Sequence, residues 1–69
     1  KKIAAMNWTD INEIAIQLVD DHPDIDPKLI LFTDLHQKVM NINGFEGEAD
    51  RSNEKILEAI QAAWIDELD

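Results

Sequence analysis

The chain has no cysteine and no tyrosine, two glycines, two prolines and only six basic residues among its 69. Each shortage excludes something. Without cysteine there is no disulfide framework, no thiolate-ligated zinc and no iron–sulphur cluster held by the chain's own thiolates. Apolar runs reach only four residues, as in Leu29-Ile30-Leu31-Phe32, far short of the roughly 20 residues that cross a bilayer. No stretch has the charged, apolar and small-residue regions of a signal peptide, so a soluble, cytoplasmic protein is expected. No internal repeat or low-complexity segment is visible. A chain of this length forms one domain and buries only about 60% of the surface it exposes unfolded, so its core is small.

What the chain has in abundance is negative charge. Fifteen acidic residues against six basic ones give a formal net charge of −9. That imbalance suits a basic protein partner or cations. It argues against DNA and RNA, because affinity for phosphates comes from Lys and Arg displacing counterions. A winged-helix nucleic-acid binder would need cations reaching base edges, and the second and third predicted helices offer only Lys38 and Lys55.

Apolar spacing sets the expected elements. Ile11, Ile14, Ala15, Leu18 and Val19 recur at the interval that lines one helix face, which predicts a first helix from Asp10 to Asp21. Thr9 is the expected cap, and His22-Pro23 ends the helix because the residue before a proline is pushed out of helical geometry. Asp24-Ile25-Asp26-Pro27 punctuates the chain again, with a short helical turn or an extended piece running to Phe32. Leu35, Val39 and Ile42 predict a second helix, capped by Thr33 and ending near Asn41. Both glycines fall in Asn43-Gly44-Phe45-Glu46-Gly47, which reads as a turn-rich loop reaching Arg51, with Phe45 tucked inward. Ser52 is the expected cap of a long third helix whose apolar face carries Ile56, Leu57, Ile60, Ala63, Trp64 and Leu68. Trp8, Trp64 and Phe32 are expected in or at the edge of the core. No segment reads as a strand, so the fold class is all-α: a small three-helix domain over residues 8–69, with residues 1–7 as an N-terminal extension.

Catalytic chemistry finds no support. No nucleophile, base and orienting group are spaced as a set, and Gly44-Phe45-Glu46-Gly47 puts a carboxylate where a phosphate cradle needs a donor, so the chain is read as noncatalytic. A metal site is better supported. Asp20, Asp21, His22, Asp24 and Asp26 cluster where the first helix ends, and carboxylates there add to the negative end of the helix dipole. Such oxygen-rich donors suit hard or borderline ions such as iron, manganese or calcium. An EF-hand is excluded, because counting from Asp20 the sixth position is Ile25 and the twelfth is Leu31. The plainer alternative is a solvated surface of turn and cap residues. His36, with Met40 one turn later, reads as a partly buried structural histidine. Helical spacing also sets Asp10, Glu13, Gln17 and Asp20 on one outward face, and Glu54, Glu58, Gln61 and Ile65 on another, with Asp66 and Glu67 extending the charge. These carboxylates are candidate partner-binding residues.

Trp8-Thr9-Asp10, Phe32-Thr33-Asp34-Leu35-His36 and the run from Ser52-Asn53-Glu54-Lys55 to Ile60 stand in an order and spacing that resembles the IscX family, also called YfhJ. Pro23-Asp24-Ile25-Asp26-Pro27 and Trp64-Ile65-Asp66-Glu67 extend the resemblance from Trp8 to Glu67 without a gap. Its members are accessory proteins of bacterial iron–sulphur cluster assembly. The resemblance implies a winged-helix arrangement with the wing reduced to the loop from Asn43 to Arg51. It also implies a monomeric regulator that docks on the cysteine desulfurase IscS in competition with bacterial frataxin, and that binds iron weakly through surface carboxylates. It implies neither nucleic acid nor membrane as partner. Two departures stand out: Lys38 lies where members often carry Trp, and Gly44-Phe45-Glu46-Gly47-Glu48 is poorer in aspartate than usual. The expected iron site is therefore the bend from Asp20 to Asp26. An acidic interaction domain for some other basic protein is the alternative reading.

Overall fold

Ile14, Ala15 and Leu18 are buried on one side of α1 (Ile11–Asp21), with Ile11 and Val19 packed at its edges, as the spacing predicts. The computed structural model describes residues 6–69. Two further helices follow, α2 (Phe32–Met40) and α3 (Glu54–Leu68), with a single 3-10 turn at Ala49–Arg51 between them. The mainly helical class is borne out: among the described residues there is no strand, only an isolated parallel bridge between Met6 and Phe45.

All three expected caps move. Thr9 does not cap α1; its hydroxyl donates to Asn7 Oδ1 at 2.6 Å. The Asn7 side chain also accepts the Thr9 N–H, and Asp10, the residue at the cap position, turns its carboxylate back to the Asn7 N–H at 3.0 Å. A polar turn of the preceding chain thus takes up the groups that a cap would have used. α2 starts one residue before Thr33, after the extended Leu31, whose carbonyl accepts the Leu35 N–H at 2.9 Å. Starting there puts Phe32 inside the helix and against the core. At α3 the cap is Asn53, whose Oδ1 accepts the Ile56 N–H at 2.9 Å, while Ser52 donates to the Ala49 carbonyl at 3.4 Å. Asn in the extended conformation is among the best caps, so a one-residue shift costs nothing.

α1 and α3 pack most extensively, and α2 packs against both of them. Trp64 is its largest fully buried side chain, set with Ile14, Leu18, Leu35, Val39 and Ile60. Burying an indole removes roughly 200 Å² from water, worth about 5 kcal/mol before entropy is charged. Its ring N–H has no hydrogen-bond partner, which returns part of that gain.

Trp8 forms a second, smaller centre. Its ring N–H donates to the Glu48 carbonyl at 2.6 Å, Phe45 meets it edge-on at 4.9 Å, and His36 stacks on it at 5.3 Å. Met6 is buried, donates its N–H to the Gly44 carbonyl at 3.1 Å and accepts from Glu46 at 2.6 Å. Met6 and Asn7, assigned to the extension by sequence, are thus bonded to the domain; residues 1–5 lie outside the described residues. Gly44 has φ of 93°, a left-handed conformation that lets the chain turn back beside Met6.

Candidate docking surface

The carboxylates expected to bind a partner lie on the two helices that build most of the core. On α1, Glu13 and Asp20 are exposed, while Asp10, just before the helix, is half-buried and accepts the Asn7 N–H. On α3, Glu54, Glu58, Asp66 and Glu67 are exposed. The face predicted to continue through Gln61 and Ile65 stops short of them. Both are half-buried, and Gln61 donates its side-chain amide to the Pro27 carbonyl at 2.8 Å, tying the loop before α2 to α3.

None of these carboxylates has a cationic partner among the described residues. The single ion pair there joins Arg51 to Glu48 at 4.0 Å, exposed and on the loop before α3. Among the described residues these carboxylates are therefore left without intramolecular neutralisation.

The bend after α1 shows the same openness. Asp20, Asp21, Asp24 and Asp26 are exposed and His22 is half-buried. Asp21 Oδ1 accepts from Gln17 at 3.1 Å, and Asp26 Oδ1 accepts the Lys28 N–H at 3.0 Å. No basic residue occupies the last turn of α1, so its dipole and these carboxylates face water together. Among the described residues no three His, Asp or Glu side chains stand as a group able to hold a metal ion. The bend therefore offers no ready-made ligand set, and water would have to supply much of the shell of any ion held there.

One feature went unread in the sequence. Between α2 and α3 lies an open groove of about 390 Å³ lined by Phe32, Thr33, His36, Gln37 and Leu57. His36 is half-buried in its wall, with Nε2 placed 3.0 Å from the Ala49 carbonyl. Only neighbouring residues on two separate helices make this groove, and no single spacing signals it.

Architecture and surface together define a small acidic helical domain whose outward carboxylates on α1 and α3 have no cationic partner among the described residues. Comparison with known proteins is specific. A family model described as iron-sulphur cluster assembly matches residues 6–69. An uncharacterized protein of Pseudomonas aeruginosa is 49% identical over 65 residues, covering 94% of this chain and 98% of that relative. The chain belongs to the IscX (YfhJ) family of iron–sulphur cluster assembly. No described helix is long and apolar enough to cross a membrane.

Proposed function

We propose that this protein is a noncatalytic, monomeric adaptor of cytoplasmic iron–sulphur cluster assembly that docks its acidic surface on the cysteine desulfurase IscS. The observation that carries this reading is the set of exposed carboxylates on α1 and α3 with no cationic partner among the described residues. A surface left unneutralised gains most from a basic counterpart, which steers encounter and fixes orientation. Membership of an iron–sulphur cluster assembly family supports the desulfurase as that counterpart, with bacterial frataxin as competitor for the same basic site. In this reading the helices follow a winged-helix arrangement with the wing reduced to the loop from Asn43 to Arg51, and iron is a weakly held cargo at the bend from Asp20 to Asp26.

Titration of the desulfurase with the labelled protein over increasing salt tests the docking. Affinity should fall steeply as the Debye length shrinks from about 30 Å at 0.01 M to about 3 Å at 1 M. Affinity that holds constant over this range overturns the charged-surface reading. Added frataxin should displace the label.

A further inference from the structure

Two leucines stand out in a protein with so little apolar surface to spare. Leu29 is 79% exposed and Leu31 is 66% exposed, although their neighbours Ile30 and Phe32 pack against the core. The segment alternates outward and inward, so its outward half gains nothing from the fold. It is also held in place. Pro27 is fully buried and receives the Gln61 amide, Asp26 accepts the Lys28 N–H through its side chain, and the Leu29 N–H reaches the Asp26 carbonyl at 3.0 Å. The Leu31 carbonyl in turn opens α2. The leucines are thus presented on a tied loop, which lowers the ordering cost of covering them.

The loop leads directly into the groove between α2 and α3. Phe32, next in the chain after Leu31, lines that groove with Leu57 opposite on α3. Exposed Asp34, Glu54 and Glu58 stand beside these lining residues in the helices. Lys28, Lys38 and Lys55 are interspersed, yet the whole chain carries −9. A second copy would bring the same −9 to the contact, so like-charge repulsion opposes self-association and a basic occupant is favoured.

We infer that Leu29, Leu31 and the Phe32–Leu57 groove form an apolar anchor site that receives a non-polar side chain from a basic segment of a partner protein. This deepens the docking reading and rests on it: carboxylates supply long-range attraction, and the leucines and groove supply short-range hold. Interfaces commonly divide the work so, with an apolar centre fixing the residence time and a charged rim setting encounter.

The test compares the wild type with Leu29→Ser/Leu31→Ser and with Gln37→Arg, binding each to the cysteine desulfurase at several salt concentrations. All three substituted side chains are exposed, and unchanged helical circular dichroism and Trp emission verify the fold. The inference requires that the leucine pair weaken binding about tenfold or more through faster dissociation, with the salt slope unchanged. Gln37→Arg, which sets a cation on the groove wall, should weaken binding as well. Wild-type binding that is indifferent to the leucine pair overturns the anchor site and leaves the desulfurase reading standing. Absence of wild-type binding overturns both. Sedimentation showing a wild-type dimer that the leucine pair abolishes would give this face to a second copy and overturn the inference too.

Discussion

The imidazole of His36 lies against the indole of Trp8, with ring centroids 5.3 Å apart and planes inclined by 27°, while its Nε2 meets the Ala49 carbonyl at 3.0 Å. A carbonyl only accepts, so Nε2 carries the proton in this contact. One side chain on α2 thereby joins the N-terminal turn to the 3-10 turn before α3. Replacing His36 by Ala removes both the stack and the hydrogen bond and should cost about 1 to 2 kcal/mol. His36→Phe keeps a ring on Trp8 but no donor, and should recover part of that loss. Urea unfolding followed by Trp fluorescence measures both. Equal stability of all three proteins would show that the contact is idle.

Gly47 is required by what surrounds it. A Cβ there would stand 2.7 Å from the Phe45 ring and 2.8 Å from the Trp8 ring. Both rings are pinned, Trp8 by its bond to Glu48 and Phe45 by its edge contact with Trp8. Gly47→Ala should therefore destabilise the domain by about 1 to 3 kcal/mol, as overpacking does. The loss should appear as a lower denaturation midpoint with little change in slope.

The cap assignment at α3 separates two adjacent residues. Asn53→Ala removes the acceptor of the Ile56 N–H and should cost about 1 kcal/mol, while Ser52→Ala loses a 3.4 Å contact and should cost a few tenths at most. Thermal unfolding of the two variants reads the difference. A larger effect at Ser52 would return the cap to the position that sequence favoured.

That shift illustrates which parts of this molecule are legible from sequence. Long apolar stripes such as Ile11 to Val19 determine helix existence, because tertiary burial and helical period agree. Boundaries are decided by competition among neighbouring polar groups, and Asp10, Asn53 and Leu31 stand at the cap positions expected of Thr9, Ser52 and Thr33. The exposed carboxylates were legible as charges on outward helical faces. Gln61 was misread as part of such a face, because its partner, the Pro27 carbonyl, lies 34 residues away in sequence. The groove was hidden for the same reason, and the run Leu29 to Phe32 concealed its alternation inside what looked like a uniform apolar stretch.

Charge reversal should reveal which helix docks. Glu54→Lys/Glu58→Lys and Asp10→Lys/Glu13→Lys each change the charge by the same amount, so a purely global field effect would weaken desulfurase binding equally. A local interface should instead respond at least about tenfold more to one pair, with a reduced salt dependence for that pair alone. The Asp10 pair carries an added consequence, since its carboxylate accepts the Asn7 N–H and its loss frays the start of α1. Asp10→Asn as a control retains an acceptor there and isolates the effect of charge.

Weak iron binding at the bend makes a prediction of place. Under anaerobic conditions ferrous iron, or a diamagnetic trivalent ion in its stead, should perturb amide NMR signals first around His22 and Asp24, between the carboxylates of Asp20, Asp21 and Asp26. No three of these side chains stand together as a ligand group in the structure, so the response should require a large excess of metal and saturate poorly. Substituting Asn for Asp20, Asp21 and Asp24 together should abolish it while leaving the helical signal intact. All three carboxylates are exposed, and those at the end of α1 oppose its dipole with no basic residue in its last turn. Perturbation centred on Glu54, Glu58 or Asp66 would place the cation on α3 and overturn the bend as the site. Silence at millimolar metal would leave docking as the use of Asp20 and Asp24, since Asp21 and Asp26 still accept from Gln17 and the Lys28 N–H while exposed Asp20 and Asp24 only add to the negative end of the α1 dipole.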